Sequence, residues 1–267
     1  MQSNNQQFKG QWAIILGGSS GFGLATAEKL ALHGMNIAVL YRETAAAERS
    51  LKEQLSQLAK ANRVTIEPYN VNALDSDARA LFIEQFANGK KNSVKLLLHS
   101  IARGNLKPLS PSENNNDSLS VADIQLTTYA MATSLLDWTR ELLAAEVFES
   151  DARIIGLTSE GSHKYWEGYA AVSIAKASLE SLVTYMAVEL AKYGLKTNLI
   201  QAGITATPSL KRIPGSEKLL EVTADRNPLG RMTEPKDVAN VIYLLCMPEA
   251  AWINGTVIHV DGGEHCR

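Results

Sequence analysis

The chain has 267 residues, of which 45% are hydrophobic and 20% are charged, and its formal net charge is −2. A chain of this length and composition can bury a full hydrophobic core in one large α/β domain. A net charge this close to zero argues against a nucleic acid or a membrane surface as the main partner, so we expect neither.

The cysteines and the first residues bear on the compartment. The two cysteines, Cys246 and Cys266, lie far apart without metal-ligand spacing, so the sequence predicts neither a disulfide framework nor a metal site. The first seven residues are polar and lack the apolar core of a signal peptide. We find no apolar run of membrane-spanning length. We therefore expect a cytoplasmic protein.

Seven short apolar stretches alternate with helical patterns along the chain. The predicted strands cover residues 12–16, 36–41, 64–69, 94–99, 154–157, 197–201 and 256–260. The main predicted helices run from the first glycines to about residue 33, then over 44–61, 75–87, 121–145, 169–192 and 235–247. This alternation is typical of a parallel sheet covered on both faces. Because no repeat or linker divides the chain, residues 1–267 are predicted to form a single doubly wound α/β Rossmann domain with a seven-stranded parallel sheet.

Two long irregular stretches, residues 104–120 and 205–227, each follow the carboxyl end of a predicted strand. Ligands bind at that edge of an open α/β sheet, and loops this long usually wall or cover a site. A surface insertion is the alternative for the first of them.

A glycine-rich turn links the first predicted strand to the first predicted helix. Its glycines permit a tight turn and close backbone approach, and the helix N-terminus offers amides and a partial positive charge to a pyrophosphate. A turn needed only for packing is the alternative. We predict that a dinucleotide contacts this turn through Gly17, Ser19, Ser20, Gly21, Phe22 and Gly23.

The end of the second predicted strand indicates the choice of dinucleotide. Arg42 lies nineteen positions beyond Gly23, where an arginine accommodates the 2′-phosphate of NADP(H). Glu43 follows it directly and keeps NAD(H) possible, because a carboxylate there binds a ribose 2′-hydroxyl. We predict a preference for NADP(H). Asn70 and Val71 would flank the adenine, although they could simply end a strand.

A tyrosine and a lysine seven positions apart begin a long apolar-periodic segment. Seven residues are almost two helical turns, so Tyr169 and Lys176 would share one helical stripe, about 10 Å apart along the axis. A neighbouring lysine can favour the phenolate and hold a ribose hydroxyl, which makes the phenol a proton donor near neutral pH. A half-buried aromatic residue and a surface lysine are the alternatives.

Together these residues resemble the short-chain dehydrogenase/reductase family along nearly the whole chain. The matching motifs are Gly17-Gly-Ser-Ser-Gly-Phe-Gly23, Asn70-Val71, the set Ser159, Tyr169 and Lys176, Ala202-Gly203 and Val260-Asp-Gly-Gly263. Most of the family places the tyrosine four residues before the lysine, where this chain has Val172. The longer spacing resembles bacterial enoyl-acyl-carrier-protein reductases, as does His99-Ser100-Ile101-Ala102. Ser159, found where the best-known enoyl reductases have a second tyrosine, and Tyr165 resemble a divergent NADPH-using branch.

The resemblance implies roles for further residues. Ser159 would assist an oxyanion or orient Tyr169. A serine that merely caps a turn is the alternative. Tyr165 would be a rival donor or, more in keeping with its place, a pocket wall. His99 would pack or form a hydrogen bond at the cofactor rather than catalyse. The family usually forms tetramers, so a homotetramer is expected. Further cofactor contacts implied by the resemblance are Ser100, Ile101, Ala102, Gly203, Ile204 and Thr207. A plain loop role is the alternative for Ile204 and Thr207.

The tyrosine spacing favours one reaction. In a 2-enoyl thioester, hydride arrives at C3 while negative charge collects on the thioester oxygen, so the donor must stand further from the nicotinamide than in carbonyl reduction. Three additional residues supply about 4.5 Å along a helix. We therefore expect NAD(P)H-dependent reduction of a trans-2-enoyl thioester in fatty acid synthesis. A short-chain ketoreductase or other carbonyl reductase, and a catalytically silent nucleotide-binding regulator, are the alternatives.

The second long loop bears on how the substrate is delivered. Lys211 and Arg212 could dock an acidic acyl carrier protein that brings the acyl thioester to the site. A solvated charge pair is the alternative.

Overall fold

The computed structural model describes residues 6–111, 117–217, 223 and 225–267. In this part of the chain one sheet runs in the order β3-β2-β1-β4-β5-β6-β7, and every neighbouring pair is parallel. The predicted doubly wound α/β fold with a seven-stranded parallel sheet is confirmed. The strands are β1 (Trp12–Leu16), β2 (Asn36–Tyr41), β3 (Ile66–Asn70), β4 (Val94–His99), β5 (Phe148–Thr158), β6 (Leu195–Ala202) and β7 (Val257–Val260).

Seven α-helices connect the strands in the described residues. Where the sequence predicts one continuous helix over 121–145, a π-helical turn at Tyr129–Thr133 separates two α-helices. Hydrophobic periodicity does not register such a local widening, because the π-helical turn is only five residues long. The helices are α1 (Gly21–Leu32), α2 (Ala45–Asn62), α3 (Ser76–Ala87), α4 (Val121–Thr128), α5 (Ser134–Ala144), α6 (Ala170–Glu189) and α7 (Pro235–Cys246).

The sheet is buried on both faces because alternate strand residues enter different hydrophobic clusters. Ile14 and Leu16 point into a cluster with Trp138 of α5 and Leu179 of α6. Ala13 and Ile15 point into a second cluster, which includes side chains of α1 and α7. Both sets of strand residues are apolar, so the strands read as continuous apolar runs instead of alternating ones. This is why the sequence located most strands within one or two residues.

Helix α6 differs from one expectation. By length and composition alone, this helix could cross a membrane, although we expected no apolar run of that length from the sequence. Its Ala175, Leu179 and Val183 are buried in this structure, and the core helix of a soluble protein passes the same test.

The strand order places the site. Strand β1 pairs with β2 on one side and with β4 on the other. Strands β2 and β3 therefore extend the sheet in one direction from β1, and strands β4 to β7 extend it in the other. Connections leave β1 and β4 toward opposite faces, which opens a crevice at their carboxyl ends. Leu16 and His99 are paired at that end.

Candidate active site

A cavity of about 540 Å³ lies along the carboxyl edge of the sheet. Its volume falls in the range of small-molecule and cofactor pockets. The predicted site residues line this cavity, apart from Gly23 and Asn70. The fold therefore brings together segments that lie up to 190 positions apart in the sequence, from Gly17 to Thr207.

The turn after β1 is shaped for close backbone approach. Gly17 has a φ of +85°, and a Cβ atom built there would lie 2.4 Å from the carbonyl oxygen of Ser100. A Cβ atom on Gly23 would lie 2.2 Å from the carbonyl oxygen of Gly17, so Gly23 packs α1 against the turn and does not line the cavity. The Ser20 side chain does not cap α1. The first amides of the helix can therefore bind an anionic group, and this cradle fits a dinucleotide pyrophosphate.

The turn after β2 carries the residue expected to distinguish the cofactors. Arg42 lines the cavity and is exposed there. Asn70 lies beneath it, where its amide nitrogen donates to the Glu43 carbonyl at 3.0 Å and to the Glu48 carboxylate at 2.9 Å. Asn70 thus supports this turn and does not line the cavity, whereas Val71 does. That these two residues flank an adenine stays a prediction.

Tyr169 immediately precedes α6 and points into the cavity. Its hydroxyl donates to the Ser159 oxygen at 3.3 Å. Burial raises the pKa of Tyr169, while the hydrogen bond with Ser159 acts in the opposite direction. The phenol is therefore protonated at neutral pH. The expected lowering of its pKa by Lys176 is not found in this structure, because burial dominates.

Lys176 is 5% exposed, and its ammonium donates to the Leu157 carbonyl at 2.6 Å. Burial lowers the pKa of Lys176 to about 8, against the opposing influence of Glu180. His99 is also buried, and its Nε2 lies 2.9 Å from the Ser134 hydroxyl. Burial, followed by the charge of Lys176, lowers the pKa of His99 to about 3. His99 is therefore neutral and packs beneath the site, as predicted.

The ordinary family position for the tyrosine is closed. Val172 is 4% exposed and packs in an apolar cluster with Met131 and Ala175. A Cβ atom on Gly104 would lie 2.7 Å from the Val172 side chain, so the loop after β4 fits directly against this wall. Tyr165 is 89% exposed while still lining the cavity. Its place at the rim favours the role of a wall over that of a donor.

The segment after β6 is held by the C-terminal end of the chain. The Ile204 N–H donates to a carboxylate oxygen of Glu264 at 3.1 Å, and Glu264 is only 2% exposed. Burial raises the pKa of Glu264 above its ordinary value. The Thr207 hydroxyl accepts a hydrogen bond from the Leu210 N–H at 3.2 Å. These contacts fix the loop on which Gly203, Ile204 and Thr207 line the cavity.

Both predicted loops contribute walls where they are described. Gly104 and Leu106 of the first loop line the cavity, as do Leu210 and Arg212 of the second. Residues 112–116 of the first loop, and 218–222 and 224 of the second, lie outside the described residues.

Sequence reasoning missed a charged cluster at one side of the cavity. An Arg226 nitrogen donates to both carboxylate oxygens of Glu160 at 2.6 Å, and a second lies 3.8 Å from Glu264. Burial alone would raise the pKa of Glu160, but Lys164 and Arg226 hold it below its ordinary value. Adjacency to Ser159 could have flagged Glu160. Nothing in the sequence pairs it with Arg226, which is 66 positions away.

Comparisons with known proteins agree with this geometry. A protein-family model described as "Enoyl-(Acyl carrier protein) reductase" matches residues 17–265. The enoyl-[acyl-carrier-protein] reductase [NADH] FabI of Aquifex aeolicus is 30% identical over 261 residues, which cover 96% of this chain and 92% of that protein. A tropinone reductase homolog of Arabidopsis thaliana, At2g29150, is 28% identical over 261 residues, covering 96% of this chain and 90% of that protein. The crystal structure of the Aquifex enzyme superimposes with a TM-score of 0.81 and 26% identity, covering 97% of this chain and 98% of that one.

Proposed function

The chain belongs to the short-chain dehydrogenase/reductase family, and from that premise we propose that it reduces the carbon–carbon double bond of a 2-enoyl thioester in fatty acid synthesis. The observation that carries this proposal is the position of the donor. The Tyr169 phenol enters the cavity seven residues before Lys176, while Val172 fills the position four residues before it with an apolar wall. The bound reduced nicotinamide would supply the hydride for this reaction.

Tyr169 stabilises the negative charge that develops on the substrate. Because burial raises its pKa, the phenol keeps its proton and donates a hydrogen bond to the thioester oxygen as an enolate forms. Ser159, 3.3 Å from the phenol, orients it. A proton from solvent water then adds to C2 of the enolate and gives the saturated thioester.

Lys176 and its surroundings hold the cofactor. With a pKa of about 8, the Lys176 side chain is mostly an ammonium at neutral pH. One of its three N–H groups is directed to Leu157, so two can donate to ribose hydroxyls. Neutral His99 adds no second positive charge beside it.

The cofactor is NADP(H) in this proposal. Arg42 supports it, because its guanidinium lines the cavity at the end of β2 and no ion pair engages it in the described part of the chain. NAD(H) is the second candidate, since the Aquifex relative carries NADH in its name. Arg42→Ala is expected to weaken NADPH binding about 10- to 100-fold, because it removes a charge-assisted contact with the 2′-phosphate, and to leave NADH binding within about twofold.

The test is a substrate panel with matched variants. Crotonyl and acetoacetyl thioesters are compared with NADPH and NADH for the wild type, Tyr169→Phe and the control Tyr243→Phe. Tyr243 packs against Phe8 and His33, away from the cavity. We expect crotonyl thioester reduction to fall about 100- to 1,000-fold in Tyr169→Phe, as for loss of one oxyanion donor, and to stay unchanged in Tyr243→Phe. Unchanged turnover in Tyr169→Phe would refute the assignment of the donor.

Carbonyl reduction is the second candidate function. The Ser159 and Tyr169 hydroxyls lie together as a pair that could polarise a carbonyl, and tropinone reductase homologs are among the relatives. Faster turnover of the acetoacetyl thioester than of the crotonyl thioester would establish it. Absence of cofactor oxidation with both substrates would instead favour a silent nucleotide-binding regulator.

We extend the proposal to the partners. Arg212 lines the cavity beside Lys211, so an acidic acyl carrier protein could dock here. Reversing both charges is expected to raise KM for carrier-linked substrate and not for a coenzyme A analogue; equal effects on both would remove the idea. A homotetramer is also proposed. Large apolar side chains on α4 and α6 are exposed in the single chain, among them Leu126, Tyr185 and Val188, and light scattering in solution tests this.

A further inference from the structure

Glu180 lies one helical turn after Lys176 on α6, behind the cavity and not in its lining. One carboxylate oxygen accepts from the Thr158 hydroxyl at 2.5 Å and lies 2.9 Å from the Ser162 hydroxyl. The other lies 2.8 Å from Nε2 of His163. The Glu180 side chain is only 17% exposed. A single carboxylate thus joins α6 to Thr158, the last residue of β5, and to Ser162 and His163 in the turn that follows.

The turn of residues 158–162 contains Ser159 and packs against Tyr169, the two hydroxyl-bearing residues of the proposed site. Thr158 and Ser162 bracket Ser159, whose hydroxyl oxygen accepts from the Gly161 N–H at 3.2 Å. A Cβ atom on Gly161 would lie 2.5 Å from Cε1 of Tyr169, so the turn packs directly on the phenol ring. The position of this turn therefore sets where both hydroxyls point.

The carboxylate also acts on the charge of Lys176. Burial disfavours the ammonium, and Glu180 favours it by attraction along the helix. His163 faces Glu180 from the turn after β5, and His99 faces Lys176 from the end of β4. Attraction by Glu180 thus raises the pKa of Lys176, and neutral His99 adds no positive charge that would oppose it.

We propose that Glu180 is a positioning residue for the reaction: it holds the turn of residues 158–162 against Tyr169, and it places a negative charge one helical turn from Lys176. This inference rests on the proposed function for its chemistry. It adds a residue outside the cavity that acts through two residues inside it. The two parts separate experimentally, because glutamine keeps an acceptor oxygen but not the charge.

The experiment compares Glu180→Ala, Glu180→Gln and Thr158→Val with Glu189→Ala, an exposed glutamate at the end of the same helix. The measurements are kcat on the thioester that the wild type reduces and the pH dependence of the NADPH dissociation constant. Melting curves show that each variant is folded at the assay temperature.

We expect different results for the positioning of the turn and for the charge effect on Lys176. Glu180→Ala and Thr158→Val lower kcat about 10- to 100-fold, because the reacting groups lose their alignment. Glu180→Gln stays within about threefold at pH 7. In both Glu180 variants the alkaline weakening of NADPH binding begins at a lower pH, by about half a pH unit to one unit, while Thr158→Val and Glu189→Ala leave it in place.

Each part can be overturned. If Glu180→Ala keeps kcat within threefold of Glu189→Ala, the turn does not depend on Glu180. If Glu180→Gln leaves the pH profile of NADPH binding unmoved, the charge has no effect on Lys176. The binding measurement needs no turnover, so a wild type that does not reduce enoyl thioesters refutes the proposed function without refuting the charge effect.

Discussion

Replacement of Lys176 by methionine is expected to stabilise the fold while it removes activity. Burial lowers the pKa of Lys176 from 10.5 to about 8. That difference corresponds to about 3 kcal/mol by which the folded state disfavours the ammonium, at about 1.4 kcal/mol per pKa unit. Methionine removes this cost, but it leaves the Leu157 carbonyl without the donor that lies 2.6 Å away, which costs about 1 to 3 kcal/mol. The net gain is about 0 to 2 kcal/mol, or a Tm higher by about 0 to 4 °C.

The pH dependence gives this prediction its sign. The pKa of Lys176 is lower in the folded protein than in the unfolded chain, so the cost is fully present below pH 8. It disappears as the pH rises from about 8 to 10.5, because the lysine then becomes neutral in the folded protein first. The difference in Tm between Lys176→Met and the wild type should therefore be largest near pH 7 and smaller at pH 10.

Scanning calorimetry at both pH values, with NADPH oxidation measured in parallel, provides the assay. Lys60→Met is the control, because Lys60 is exposed on α2 and lies outside the cavity. It should change Tm by less than about 1 °C and leave turnover unchanged. A Lys176→Met protein that melts below the wild type at pH 7, with the same difference at pH 10, would refute the reasoning.

Two further predictions follow from the same structure. Gly161→Ala should lower kcat about 100-fold with NADPH affinity preserved, because a Cβ atom 2.5 Å from Tyr169 must displace the phenol; unchanged kcat in stopped-flow assays would contradict this. Asp151→Asn should lower the free energy of unfolding by about 2 to 3 kcal/mol at pH 7, less than for a fully buried pair because Asp151 is partly exposed. Asp151 accepts from Arg153, Lys95 and Lys196. Burial alone would raise its pKa, but these cations hold the pKa well below its usual range, so urea unfolding should show the loss shrinking as the pH falls below about 4.

The sequence predicted elements well where one physical signal dominated. Strands β1, β2 and β4 were located to the residue, because fully buried parallel strands read as uninterrupted apolar runs between turns. Strand β5 was predicted too short, since the start at Phe148 carries the charged residues Glu149 and Asp151. Those charges are paired with Lys95 and Lys196, from β4 and β6. Their pairing depends on the neighbouring strands, so local composition could not indicate it.

In the site, too, local sequence predicted some features and tertiary contacts decided others. The glycine turn, Arg42, Tyr169 and Lys176 were predicted because spacing along one turn or one helix fixes their relative positions. The sequence did not indicate that Asn70 supports the turn after β2, because only the folded chain shows its amide bonded to Glu43 and Glu48.

By itself, the sequence determined the parallel α/β architecture, the nucleotide turn and the seven-residue separation of Tyr169 and Lys176. The tertiary structure decided their chemical state. It buried Tyr169 so that its pKa rises, and it buried Lys176 so that its pKa falls to about 8. It also set Glu180 against the turn that carries Ser159. The physical reason is that desolvation and hydrogen bonding depend on which distant segments surround a side chain, and spacing along the chain does not encode that.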